Sequence, residues 1–181
     1  MDHWSMNKTI TRPLIFDERK GELPLFSLSG VLPIDQALSV NTDCLVISLV
    51  STKPVNENPI LLQSLLTEQQ MRVLLPLLKW PHSCSHELLL ASLFCSWQQL
   101  LAGFFSTQGT AREEWLAIVQ ETAEILERTQ MQGTGRKELK QLYNALSELR
   151  TKLRPFGLGI AICTWGVAYA LIALPALQQE A

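Results

Sequence analysis

The stretch LSELRTKLRPFGLGIAICTWGVAYALIALP, residues 146–175, decides how this chain is read. Three basic residues, Arg150, Lys152 and Arg154, stand before a run with no charge from Phe156 to Leu177. Such a run is either a membrane anchor with a positive flank or a helix leading into a buried β-hairpin. A tail anchor needs about 20 apolar residues in one helix, and 156–174 is close to that length. The pattern argues otherwise. Ile160 and Ile162 alternate with Ala161 and Cys163, Trp165-Gly166 intervenes, and Val167, Tyr169 and Leu171 alternate with Ala168 and Ala170. A period of two on both sides of a glycine-containing break predicts two strands and a turn. Gly157, Gly159 and Gly166 weaken a helix further.

Upstream, Leu139, Leu142, Leu146, Leu149 and Leu153 recur at spacings of three and four, which predicts one amphipathic helix over 136–154. Its opposite face carries Lys137, Lys140, Gln141, Asn144, Ser147, Glu148 and Thr151, with Arg136, Lys152 and Arg154 on the shoulders. Charge is distributed unevenly. Residues 1–66 hold five basic and seven acidic side chains and residues 67–135 hold four and seven, whereas 136–155 hold six and two. One basic segment in an acidic chain of formal charge −2 is a local electrostatic footprint.

Working toward the N-terminus, Thr110 with Glu113 forms a capping box. The helix it predicts buries Trp115, Ile118, Val119, Thr122, Ile125 and Leu126 and leaves an acidic face over 111–129. Ser85 caps a helix through HELLLASLFCSWQQLLAGFF, residues 86–105, which is uncharged after Glu87 but interrupted by Ser92, Ser96, Gln98 and Gln99. It reads as a buried helix. Thr67 with Gln70 caps a helix carrying Met71, Leu74, Leu75 and Leu78, and Pro76 predicts a kink or an early end. From Leu25 to Leu65, short apolar runs split by turn formers predict three or four antiparallel strands, with a helical turn at Asp35–Leu38 as the alternative.

The expected organisation is an arm over 1–24, a domain over 25–175 and a tail over 176–181. The domain comprises a sheet (25–65), two helices (67–106), an inserted acidic helix (107–135), the basic helix (136–154) and a hairpin (158–174). The fold class is α+β.

This order resembles the OmpR/PhoB-type winged-helix DNA-binding domain of bacterial response regulators. Leu66-Thr67, Gln70 and the following Val73-Leu74-Leu75 are similar to that family's Leu-Thr, capping acid and apolar pair, and SHELLLASLF at 85–94 is similar to its second helix. Residues 146–153, LSELRTKL, are similar to the end of its recognition helix. Gly166-Val167-Ala168-Tyr169-Ala170-Leu171 stands where that family closes its wing.

The resemblance implies a winged helix-turn-helix with an N-terminal antiparallel sheet, a helical insertion and a C-terminal β-hairpin wing. Its implied function is binding of double-stranded DNA in transcriptional regulation. The basic helix would enter the major groove. Arg136, Lys137, Lys140, Arg150, Lys152 and Arg154 would hold phosphates, Asn144, Ser147 and Thr151 would face base edges, and Trp165 would sit at the wing tip. A homodimer on DNA and a contact between the 111–129 helix and RNA polymerase or another protein follow by analogy.

The chain departs from the family at Glu148, where an arginine is usual, at Trp165 and Ala170, which replace basic residues, and at Ala168, which replaces a glycine. It also lacks the βα repeats of a receiver domain in its first 60 residues. These departures leave a protein-interaction module without DNA affinity as the second reading, and the tail anchor as the third.

Enzyme signatures are missing: there is no glycine-rich phosphate loop, HExxH or nucleophile elbow. No cofactor is expected. His82, Cys84, His86 and Cys95 include zinc-ligand types, but their spacing fits no closed site. The four cysteines, Cys44, Cys84, Cys95 and Cys163, read as buried thiols of a cytoplasmic protein, and the N-terminus has no apolar leader.

Overall fold

The computed structural model describes residues 23–53, 59–133, 136–163 and 168–175. Most of the expected arm, the tail from 176, and Thr164 to Val167 with Trp165 among them lie outside the described residues.

Four strands open the fold: β1 (Leu25–Phe26), β2 (Gln36–Asn41), β3 (Val46–Ser51) and β4 (Ile60–Leu65), antiparallel and side by side in chain order. Gln36 and Ala37 are strand residues, so the helical alternative at Asp35–Leu38 does not hold. The β2–β3 turn is built by Asn41, whose Oδ1 accepts from the amides of Asp43 and Cys44 at 3.0 Å each. Alternation then sorts the faces. Leu38 pairs with Leu49 and Val40 with Ile47 on the face that joins the core, while Ser39 pairs with Ser48 on the other.

Helix α1 (Glu68–Lys79) begins at the expected box: Gln70 N donates to Thr67 Oγ1 at 3.2 Å, and Thr67 N donates to Gln70 Oε1 at 3.0 Å. It does not stop early at Pro76. Every residue from Gln70 to Leu78 is buried, and that packing outweighs the roughly 3 kcal/mol of an interior proline. A two-residue strand, β5 (Cys84–Ser85), leads into α2 (His86–Phe94) with Ser85 as N-cap.

The single helix expected over 86–105 is two helices, because α3 (Trp97–Phe105) starts anew after Cys95. Two devices make the break. Ser96 and Gln99 form a second capping box, with bonds of 2.9 and 3.1 Å, and Arg72 takes the carbonyls that α2 leaves open.

Helix α4 (Gly109–Met131) also differs from expectation. It starts ahead of Thr110, so Thr110 lies inside the first turn, and the N-cap, Gln108, makes no side-chain capping bond. Only Trp115 is fully buried. Ile118, Val119, Thr122 and Leu126 are half-buried and Ile125 is exposed, as α4 packs chiefly on α2 and α3. Trp115 lies against Gly103, with its ring 5.3 Å from that of Phe104.

Helix α5 (Arg136–Leu153) buries Leu142, Leu146, Leu149 and Leu153 against α1, α2 and the following strand. A 3-10 turn (Arg154–Phe156) and Gly157, at φ 71°, end it. The opening stretch then forms antiparallel strands β6 (Leu158–Cys163) and β7 (Ala168–Ala173), and β5 joins them in the order β5-β7-β6. Among the described residues, no helix is long and apolar enough to cross a membrane. The molecule is α+β, with a four-stranded and a three-stranded sheet around five helices in its described part.

The cysteines divide in a way the sequence did not suggest. Cys84 is buried, Cys95 and Cys163 are half-buried and Cys44, in the β2–β3 turn, is exposed; all are free thiols.

Candidate nucleic-acid interface

The leucine stripe of α5 faces inward, which turns the opposite side of the helix to solvent. Lys137, Lys140, Asn144, Ser147, Glu148, Thr151 and Lys152 are all exposed, and Arg154 is exposed in the turn that follows. From 137 to 151 this face runs roughly 21 Å at the α-helical rise. Among the described residues the ion pairs are Lys53–Asp35, Arg72–Glu68 and Arg128–Glu124. None involves Lys137, Lys140, Lys152 or Arg154, so among the described residues these exposed cations have no carboxylate partner.

One expected contact is placed differently. Arg150 is half-buried, and its Nε donates to the carbonyl of Ile160 at 3.0 Å, tying α5 to β6. Its guanidinium is therefore committed in part to the hairpin. Arg136 opens the helix, with its side chain outside the described part, and Trp165 lies outside the described residues altogether.

Glu148 has a partner that sequence reasoning missed. Gln70, 4% exposed, spends its amide oxygen on the Thr67 N–H and turns its Nε2 to Glu148 Oε2, 3.1 Å away. The capping residue of α1 thus holds a carboxylate of α5. A Gln at the third helical position signals only a cap in sequence, and nothing there points 78 residues ahead. Tyr143 was also missed. It is 47% exposed on the same side of α5, with its ring 6.3 Å from that of His86, and its position four residues before Ser147 was the available signal.

The histidine–cysteine group does not assemble. Cys84 sits in β5 with its thiol pushed up to about 12 by burial, and His86 places Nε2 3.1 Å from the Tyr169 hydroxyl, while His82 is exposed. Among the described residues no three His, Cys, Asp or Glu side chains gather as a metal site. The acidic helix presents Glu113, Glu114, Glu121, Glu124 and Glu127 to solvent, away from the basic face in sequence and in charge. No protein-family model, curated protein or solved structure matches the chain.

Proposed function

We propose that this is a winged-helix protein of the cytoplasm that binds double-stranded DNA through the exposed face of α5 and regulates transcription. The observation that carries the reading is the set of exposed cations Lys137, Lys140, Lys152 and Arg154, without ion pairs among the described residues, around Asn144, Ser147 and Thr151 on a helix followed by a hairpin. Cations of that kind neutralise phosphates and fix register, and short polar side chains between them read base edges. The order of sheet, α1, β5, α2, α5 and hairpin, with β5 completing the hairpin's sheet, supports the resemblance to OmpR/PhoB-type domains.

So does the contact between Gln70 and Glu148. Those are the two positions where the family has an acid and an arginine, and here they depart together, with amide and carboxylate in contact. Binding as a homodimer and docking of RNA polymerase or another protein on the acidic face of α4 belong to the same proposal.

Fluorescence anisotropy with a labelled 25-base-pair duplex at low salt tests it. The Lys137→Glu/Lys140→Glu protein is expected to bind at least about tenfold more weakly than wild type, and equal binding would remove α5 from the interface. A protein-interaction module is the second reading. It is favoured by the described part of the hairpin, where Ile162 is 61% exposed, Ile172 is 39% exposed and no cation occurs.

A further inference from the structure

We propose that Glu148 is a specificity-determining residue that selects cytosine, a role that rests on α5 being the DNA-reading helix. A free carboxylate on such a face would swing among rotamers and repel phosphate. This one is held: Gln70 Nε2 donates to its Oε2 at 3.1 Å, and Gln70 cannot turn its amide without losing the bond from Thr67 N at 3.0 Å. The amide is buried while Glu148 itself stays exposed, so the second carboxylate oxygen faces outward as an acceptor at a defined place.

The major groove offers hydrogen-bond donors at only two bases, the N4 amine of cytosine and the N6 amine of adenine. Adenine places its N7 acceptor beside that amine, where it repels a carboxylate. Cytosine places only a C–H there. Guanine and thymine present acceptors to Glu148 and are disfavoured. Gln70 is thereby a positioning residue: an acid at position 70 would set two carboxylates against each other and release Glu148.

Selection of bound duplexes from a randomised pool, with the full chain as wild type, Glu148→Ala and Glu148→Gln, tests this. Wild type is expected to enrich cytosine at one position by about tenfold. Glu148→Ala should lose that preference while keeping the preferences at other positions. Glu148→Gln should move the position toward adenine, whose N6 and N7 match a carboxamide. Unchanged enrichment in both variants overturns the role of Glu148 while leaving DNA binding intact. Failure of wild type to retain any duplex overturns the DNA reading and this inference with it.

Discussion

The Nε of Arg150 lies 3.0 Å from the carbonyl oxygen of Ile160, and this bond ties α5 to the strand that begins the hairpin. Ten residues separate the two along the chain, with a proline-containing 3-10 turn and a left-handed glycine between them. A side chain that faces partly inward thus adds to the leucine packing that seats α5 on β6.

Replacing Arg150 by Ala removes a charge-assisted bond to a β6 carbonyl. It is expected to lower stability by about 1–2 kcal/mol and to raise amide exchange in β6 and β7. Urea denaturation with hydrogen exchange checks both. Unchanged exchange in the hairpin would mean that Arg150 does not hold it.

Arg72 carries a heavier structural role. It is 8% exposed, its Nη1 donates to Cys95 O at 2.7 Å and Ser92 O at 3.2 Å, and its guanidinium lies 5.2 Å from the Trp97 ring. Its ion pair with Glu68 at 2.7 Å adds little, since that carboxylate is largely exposed. Arg72→Met should leave the α2 carbonyls unpaired and destabilise by about 2–4 kcal/mol, read from the urea midpoint. A loss below about 0.5 kcal/mol would contradict the role assigned to it.

Gly103→Ala tests how α4 is attached. A Cβ there would stand 2.6 Å from both Cβ and Cγ of Trp115. Alanine normally favours a helix over glycine by up to about 1 kcal/mol, but overpacking of this kind costs about 1–3 kcal/mol. Net destabilisation is expected, with faster amide exchange in α4. A stabilised variant would show that Trp115 moves aside freely.

Acid should weaken the fold through His86. Burial holds its imidazole below the ordinary histidine value, with Glu87 opposing, and its neighbours Tyr169 and Tyr143 offer no charge to compensate. The unfolded chain binds that proton more readily than the folded one. The stability His86 contributes is therefore whole above about pH 6.5 and is lost as the pH falls toward its depressed folded value. Urea midpoints measured from pH 7.5 to 5.0 should fall more steeply for wild type than for His86→Gln. Parallel curves would contradict the assignment.

Local signals were the legible part of this fold. Thr67 with Gln70, and Ser85, declare helix starts because each satisfies nearby amides, and the five leucines of α5 declare which side faces in. The alternation around Tyr169 marks strands where hydropathy alone allows a membrane helix. What stayed hidden depends on distant partners. The break at Cys95 needs Arg72, 23 residues earlier in the chain, and the Ser96–Gln99 box that reinforces it was read as an interruption of one helix. Thr110 loses its capping place because α4 begins two residues sooner, at Gly109. Along α4, periodicity marks an apolar stripe, yet only Trp115 is fully buried, and the rest of the stripe is half-buried or exposed against α2 and α3. The candidate site was legible as a basic helix face. The inward turn of Arg150 and the hold of Gln70 on Glu148 were not, because each bond joins two separate elements.

The most direct test of the central claim is the salt dependence of duplex binding by wild type beside Lys140→Ala/Lys152→Ala. If α5 neutralises several phosphates, log affinity falls steeply with log salt in wild type. Each removed phosphate contact should flatten the slope by about 0.9, so the double variant should be shallower by nearly two. A folded wild-type protein that binds no duplex at low salt, or a double variant with an unchanged slope, would contradict the assignment of α5 as the DNA-binding helix.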